Sequence, residues 1–195
     1  MAKAMSGQKT VTPSAESLAA SVSAVKTRGL PPVHLWSPPF CGDLDMRIAR
    51  DGTWFYQGTP IGRPGLVKLF SSILKMEEGK YFLVTPVEKV GITVDDAPFV
   101  AQDFDVEGAG QAQTLTFHTN VGDVAVAGPD LPLRVIRDPE TGEPSPYVLI
   151  RANLEALIDR KSFYRLVDLG VHHEGWFGLW SSGVFFPVIP TSELP

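Results

Sequence analysis

Residues 99–137 read FVAQDFDVEGAGQAQTLTFHTNVGDVAVAGPDLPLRVIR, a succession of short segments rich in β-forming residues with turn residues between them. The turn signals are Gly108-Ala109-Gly110 and Asn120-Val121-Gly122, because glycine and asparagine adopt the backbone conformations that tight turns need. Strands are predicted over Phe99–Val106, Ala112–Thr119, Asp123–Ala127, Leu133–Arg137 and, further on, Tyr147–Arg151. This part of the chain is therefore expected to be mainly β-sheet.

Two predicted hairpins flank this stretch. Asp51-Gly52 separates the strands Met46–Arg50 and Thr53–Gln57, and Asp-Gly between two such runs is a strong hairpin signal. Near the C-terminus, Trp176–Trp180 and Val184–Ile189 form the second pair of strands.

Three helices are predicted in addition. The first opens at Thr12-Pro13, the second lies within Thr59–Leu74, and the third covers Asn153–Leu169 with Asn153 as its N-cap. Because strands outnumber helices and the two do not alternate one for one, the predicted fold class is α+β.

The composition sets limits on partners and location. The chain has 195 residues, 44% of them hydrophobic, which is enough for a sizeable core. A formal net charge of −5 and the lack of a Lys/Arg run argue against duplex nucleic acid as a partner. Residues 175–192 carry no charge, but glycines and prolines interrupt them, so no membrane span is expected. With a single cysteine, Cys41, and no secretory signal pattern, the expected location is the cytoplasm.

A weak internal repeat links the two halves of the chain. Ile61-Gly62-Arg63 is similar to Ile158-Asp159-Arg160, and Glu78-Gly79-Lys80-Tyr81 is similar to Glu174-Gly175-Trp176-Phe177. Any two helix–strand units share apolar spacing, so chance similarity stays open. The paired arginine favours a duplication, because packing does not require arginine at the start of a helix. A duplicated core predicts two small domains, and clefts between domains are common ligand sites.

Three stretches, Asp51–Tyr56, Pro60–Arg63 and Tyr81–Phe99, resemble a bacterial family known as domain of unknown function 1285. The resemblance extends over residues 36–187 and is most specific in its first half. It implies a two-domain α+β protein with a duplicated core. The C-terminal part would be a strongly bent antiparallel sheet or partial barrel with one helix, loosely like a pleckstrin-homology fold. The resemblance also implies a ligand cleft at the domain interface, a nucleotide-like ligand and a signalling role.

The expected domains are three. Residues 1–30 form an N-terminal tail and a docking helix, residues 31–86 an α+β domain, and residues 87–195 a β-rich α+β domain.

Six polar side chains are candidates for ligand binding in the cleft: Arg63, Thr85, Glu88, Lys89, Arg160 and Tyr164. Arginine guanidinium groups suit bidentate recognition of carboxylate or phosphate, so the cations would contact the charge of a small anionic ligand. The threonine, glutamate and tyrosine would fix its orientation. Alternatively, each arginine pairs with a nearby acid and only orders a loop.

Other residue clusters offer weaker chemistry. Asp95-Asp96 and His172-His173-Glu174 contain metal-ligating side chains, but neither has the spacing of a known metal site. No metal and no cofactor is therefore expected. Trp54 is one of several strand aromatics that can stack on a base, although aromatic residues in strands are more often part of the core.

Three functions follow from these observations. The first is a non-enzymatic regulatory or ligand-binding protein with a small anionic, nucleotide-like ligand. The second is a protein-interaction module in which the C-terminal sheet and the N-terminal helix dock a partner or a second copy. The third, and least favoured, is a hydrolase that uses Glu88 or Asp95-Asp96 as a general acid or base. An enzymatic function is thus the less favoured interpretation.

Overall fold

The computed structural model describes residues 12–25 and 28–194, and it forms two compact units that each combine two stretches of chain. Unit 1 comprises the chain up to Asp45 and Leu69–Ile92. Unit 2 comprises Met46–Lys68 and the chain from Thr93 onwards. The domain limits expected at residues 30 and 86 stay predictions, and residues 1–11 of the expected N-terminal segment lie outside the described part.

The described residues contain three α-helices: α1 (Ala15–Ser23), α2 (Pro64–Ser72) and α3 (Arg160–Val167). Helix α1 buries Leu18 and Val22. The predicted start at Thr12-Pro13 is wrong, because the helix begins at Ala15. Ser14 caps the helix instead, because its hydroxyl accepts from the Ser17 amide while the Ser17 hydroxyl accepts from the Ser14 amide.

The strands form three sheets. The first comprises β1 (Phe40–Ile48), β2 (Trp54–Tyr56), β3 (Thr59–Pro60), β4 (Leu74–Glu77), β5 (Lys80–Val84) and β6 (Lys89–Val94), in the order β3-β2-β1-β6-β5-β4. The second comprises β7 (Phe99–Glu107), β8 (Thr114–Thr119), β9 (Val124–Val126), β10 (Leu133–Arg137), β11 (Pro144–Arg151) and β12 (Leu154–Ile158), in the order β10-β11-β12-β7-β8-β9. The third comprises β13 (Val171–His173), β14 (Trp176–Ser181) and β15 (Val184–Pro190) in that order.

The second sheet is curled into a half-barrel, which confirms the predicted bent sheet and the α+β class. All its neighbouring pairs are antiparallel except β12 and β7, which run parallel. Both predicted hairpins are present: Ile48 lies opposite Trp54, and Trp180 lies opposite Phe185.

The helix predicted over Asn153–Leu169 is wrong in its first half, where the chain forms β12. Ala152, with φ of 48°, turns the chain directly back from β11. The burial then alternates: Leu154, Ala156 and Ile158 are buried and the residues between them are half-buried. Helix α3 starts only at Arg160, after Asp159, whose carboxylate accepts from the Ser162 amide at 2.7 Å and is the true N-cap.

The predicted duplication is present as a helix followed by three antiparallel strands. Helix α2 leads into β4, β5 and β6, and α3 leads into β13, β14 and β15. In both copies the first two strands are joined by a Glu-Gly turn with positive φ at both residues: 50° and 76° at Glu78-Gly79, 48° and 83° at Glu174-Gly175.

Within unit 2, several side chains join the third sheet to the second, and the buried Ser181 is one of them. The Ser181 hydroxyl is fully buried, donates to the Ala127 carbonyl at 2.7 Å and accepts from the Leu115 amide at 2.9 Å. No helix in the described part of the chain has the length and apolar character needed to cross a membrane.

Candidate functional site

Two cavities of unit 2 each lie at the start of one of the duplicated helices. We call them the α2 cavity and the α3 cavity. The α2 cavity, of about 470 Å³, is lined by Gly52, Thr53, Trp54, Ile61, Gly62, Pro64, Gly65, Val67, Lys68, Asn120 and Val121. The α3 cavity, of about 380 Å³, is lined by Arg50, Asp138, Glu143, Pro144, Ser145, Pro146, Leu157, Ile158, Asp159, Arg160, Phe163 and Tyr164. Both volumes fall within the range of small-molecule sites, about 300–1,000 Å³.

The α2 cavity is shaped by the turn between β1 and β2. Asn120 fixes this wall, because its amide Nδ2 donates to the Gly52 carbonyl at 3.3 Å and its Oδ1 accepts from the Val100 amide at 3.0 Å. The Asp51 carboxylate accepts from the Thr53 amide at 2.9 Å, and this bond lowers the pKa of Asp51. The turn residues are therefore held by side-chain hydrogen bonds on both sides.

The charge of the α2 cavity is positive. Lys68 is the one charged side chain in the lining, and no carboxylate takes part. Arg63 lies between the lining residues Gly62 and Pro64, and its side chain is exposed. Among the described residues, no carboxylate forms an ion pair with Arg63 (compare Arg160 below). Two cationic groups therefore lie at or next to this cavity without an acid in its wall.

The α3 cavity has a mixed charge. Arg160 Nη2 donates to Glu143 Oε1 at 2.6 Å, and both side chains are largely exposed. Arg50 Nη2 donates to the Ser145 hydroxyl at 3.1 Å, while its Nε lies 3.4 Å from Asp96 Oδ2. Next to these polar groups, the Tyr164 ring is 62% exposed.

Three of the six predicted site residues lie in unit 1, at the turn between β5 and β6. The Thr85 hydroxyl accepts from the Glu88 amide at 3.1 Å, so it closes this turn. Glu88 is buried, and burial raises the pKa of its carboxyl group. Lys89 Nζ donates to Glu77 Oε2 at 2.8 Å and lies 4.8 Å from the centre of the Phe82 ring.

The structure thus divides the predicted set. Arg160 and Tyr164 line the α3 cavity, Arg63 adjoins the α2 cavity, and the three residues of the β5–β6 turn line neither of these two cavities. A single cleft shared by all six stays a prediction. Sequence reasoning missed Lys68 and Asn120, since a lysine in a helix and an asparagine before a turn glycine carry no functional signal by themselves.

The weaker candidates have structural partners. Asp95 accepts from Arg47 Nε at 3.0 Å and from its Nη2 at 2.9 Å. Asp96 accepts from the Tyr147 hydroxyl at 2.7 Å. The His173 ring packs 5.0 Å from that of Trp180. Over the described ranges, no group of three or more His, Cys, Asp or Glu side chains is arranged to hold a metal ion.

Two family models match adjacent parts of the chain. Residues 31–97 match "Domain of unknown function (DUF1285), N-terminal domain", and residues 98–188 match "Protein of unknown function (DUF1285), C-terminal domain". No curated protein matches.

Two solved structures are similar to this chain. The crystal structure of a DUF1285 family protein from Silicibacter pomeroyi is 69% identical, with a TM-score of 0.85 over 90% of this chain and 96% of that one. The crystal structure of a DUF1285 family protein from Shewanella baltica is 28% identical, with a TM-score of 0.50 over 64% of this chain and 91% of that one. The two adjacent domain matches and the 69% identity show that this chain belongs to the DUF1285 family.

Proposed function

We propose that this protein is a non-enzymatic ligand-binding protein with a regulatory role, and that the α2 cavity holds a small anion of the nucleotide or sugar-phosphate type. The observation that carries the proposal is the charge of this cavity. Its lining contains Lys68 and no carboxylate, and the exposed Arg63 follows the lining residue Gly62. An anion placed there meets Lys68 and no carboxylate of the lining.

The walls of the α2 cavity support a ligand with an apolar part. The half-buried Ile61 and Val67 add apolar surface to the lining, to which the buried Trp54, 1% exposed, also belongs. Thr53 and Asn120 add polar groups for orientation. A few polar groups in a mostly apolar pocket are typical of small-molecule sites.

The lining also comes from both parts of the chain that the family models match. Residues 52–68 belong to the first matched segment, and Asn120 and Val121 belong to the second. This distribution supports a ligand near the junction of the two family domains, where the internal repeat predicts one.

A thermal-shift screen tests the proposal with nucleotides, cyclic dinucleotides, sugar phosphates and simple organic acids as probes. A ligand at 100 times its Kd stabilises the folded protein by about 2.7 kcal/mol, which raises the Tm by several degrees in a chain of this size. We expect Lys68→Gln and Arg63→Gln to abolish the shift. The matched variants Lys161→Gln and Arg28→Gln, which change exposed cations elsewhere, should retain it. No shift with any probe, or equal shifts in all four variants, would contradict the proposal.

The outer face of the third sheet favours a second function, docking of a protein partner or a second copy. His173 lies opposite Trp176 and Trp180 lies opposite Phe185, so these four aromatic side chains share one face. Trp176 is 42% exposed. Light scattering over a range of protein concentrations tests this function: a mass that rises with concentration and falls back in Trp176→Ser supports it, and a constant monomer mass counts against self-association.

A further inference from the structure

The α3 cavity is a second site in unit 2, and its charges differ from those of the α2 cavity. Its lining carries two guanidinium groups, Arg50 and Arg160, and three carboxylates, Asp138, Glu143 and Asp159. The formal sum is therefore negative. A phosphate or other multiply charged anion placed here would be repelled by the lining as a whole, so the ligand class must differ from that of the α2 cavity.

Two of the three carboxylates are fixed by the backbone. Asp138 accepts from the amides of Glu140 at 2.9 Å and Thr141 at 2.8 Å. Both bonds lower the pKa of Asp138, and the bond from Thr141 has the larger effect. Asp159 accepts from the Ser162 amide. Both groups are thus committed to local structure. Glu143 is the carboxylate left for a ligand.

The pair formed by Glu143 and Arg160 can be exchanged. The two side chains are 60% and 72% exposed, and exposed ion pairs of this kind contribute only about 0–1 kcal/mol. A ligand with one carboxylate and one ammonium group can take over both halves of this pair. Its carboxylate replaces Glu143 beside Arg160, and its ammonium group replaces Arg160 beside Glu143. A simple anion would take Arg160 and leave Glu143 unpaired beside a second negative charge.

The remaining wall suits an apolar body. The exposed ring of Tyr164 lies in the same lining as Phe163, Leu157, Pro144 and Pro146. A volume of about 380 Å³ is at the small end of ligand sites, which fits one amino acid better than a peptide of several residues.

We propose that the α3 cavity binds a free α-amino acid with an apolar side chain, whose carboxylate pairs with Arg160 and whose ammonium group pairs with Glu143. The Tyr164 and Phe163 rings contact the side chain. Arg50, which donates to the Ser145 hydroxyl and lies 3.4 Å from Asp96 Oδ2, belongs to the same lining.

Isothermal titration calorimetry on the full chain tests this with three probes that share one body. They are L-phenylalanine, 3-phenylpropanoate, which lacks the ammonium group, and phenethylamine, which lacks the carboxylate. We expect L-phenylalanine to bind, and each singly charged probe to bind at least about tenfold more weakly. L-leucine serves as a second zwitterion with a smaller side chain.

The variants separate this site from an anion site. We expect Arg160→Gln and Glu143→Gln each to weaken L-phenylalanine binding at least about tenfold, because each removes one of the two charge pairs. Arg165→Gln, in the same helix but paired with Asp103, is the matched control and should bind as the parent protein does. Lys68→Gln should also bind L-phenylalanine as the parent protein does, because Lys68 lines the α2 cavity and not the α3 cavity. Failure of the anion proposal for the α2 cavity can therefore be distinguished from failure of the amino-acid proposal for the α3 cavity.

Three results would overturn the proposal. The first is binding of 3-phenylpropanoate as tight as that of L-phenylalanine. The second is tighter binding in Glu143→Gln, which would mark a plain anion site. The third is no binding of L-phenylalanine or L-leucine at concentrations up to about 10 mM, well above the Kd of a weak site.

Discussion

Glu88 is a carboxylate that the fold buries at the β5–β6 turn, and in the part of the chain that is described no cation pairs with it. Burial raises its pKa, because the charged form loses hydration. The carboxyl group therefore favours folding when protonated. Its contribution is complete below the ordinary pKa of glutamate and is lost as the pH rises through the raised value in the folded protein.

We predict that Glu88→Gln raises the Tm by a few degrees at neutral pH, since it removes the charge that burial disfavours. Below the ordinary pKa of glutamate the variant and the parent should melt together. The measurement is a series of thermal denaturation curves from acid to neutral pH. Glu78→Gln, an exposed glutamate in the preceding turn, is the control and should leave the Tm unchanged. A lower Tm for Glu88→Gln at neutral pH would show that the charged form is favoured in the fold.

The same residue shows the limit of prediction at this scale. The sequence identifies Thr85, Glu88 and Lys89 as polar residues at the end of a strand, but an exposed strand end and a buried turn look alike in it. Burial depends on what covers the turn, which local sequence does not specify. Arg63 and Arg160 were recognisable as a pair, yet the acid that one of them meets, Glu143, comes from a distant hairpin.

At the scale of elements, Ser181 joins two sheets of unit 2 through two buried hydrogen bonds. We predict that Ser181→Ala destabilises the protein by about 1–3 kcal/mol, because the buried Leu115 amide loses its partner, whereas the Ala127 carbonyl still accepts from the Ser182 hydroxyl. Chemical denaturation gives the free energy of unfolding directly.

The neighbouring Ser182→Ala is a close control for that experiment. The Ser182 hydroxyl also donates to the Ala127 carbonyl, at 2.9 Å, but this residue is exposed and water can replace it. Its effect should stay below about 1 kcal/mol. Equal losses for the two variants would mean that burial of Ser181 does not set its contribution.

Secondary-structure elements could be predicted where residues close together in the chain determine them. The Asp-Gly and Ser-Gly turns are local signals, and both hairpins were confirmed. The helix prediction for residues 153–159 was wrong. An asparagine before apolar residues is a helix signal, but Leu154, Ala156 and Ile158 in the same segment alternate as in a strand. The parallel pairing of β12 with β7 involves residues far apart in the chain, and tertiary pairing overrode the helix propensity there.

At the scale of the whole molecule, the compact units do not follow the boundary between the two family matches. Unit 2 needs Met46–Lys68, whereas the second family match starts at residue 98. Within unit 2, side-chain hydrogen bonds join Met46–Lys68 to residues of the second family match, among them Arg50 to Ser145 and Asn120 to Gly52.

We therefore predict that a fragment of residues 98–195 has no cooperative thermal transition, because the buried residues Met46, Ile48 and Trp54 are missing from its unit. Circular dichroism on heating is the measurement. Co-expression of residues 1–97 with residues 98–195 should restore the transition. A fragment that melts cooperatively at the Tm of the full chain would show that Met46–Lys68 is dispensable.

The two cavities could not be predicted from the sequence, because each is built from parts of the chain that are far apart, as is the unit that the fragment would leave incomplete. The α2 cavity brings residues 52–68 to Asn120, and the α3 cavity brings Arg50 to residues 138–164. Such walls arise from sheet curvature and long-range pairing, and no motif in the sequence records either.

The interleaved path of the chain also sets an order for folding during translation. All of unit 1 has been synthesised once Ile92 has left the ribosome, so that unit can form first. Strands β1–β3 can join β6 by then, but Met46–Lys68 must wait for the rest of its unit, which ends only near the C-terminus. At about 5–20 residues per second, that wait is on the order of ten seconds. Trp54, which is 1% exposed in the folded protein, lacks the later residues of its unit during this interval, so a chaperone that recognises apolar segments can bind there.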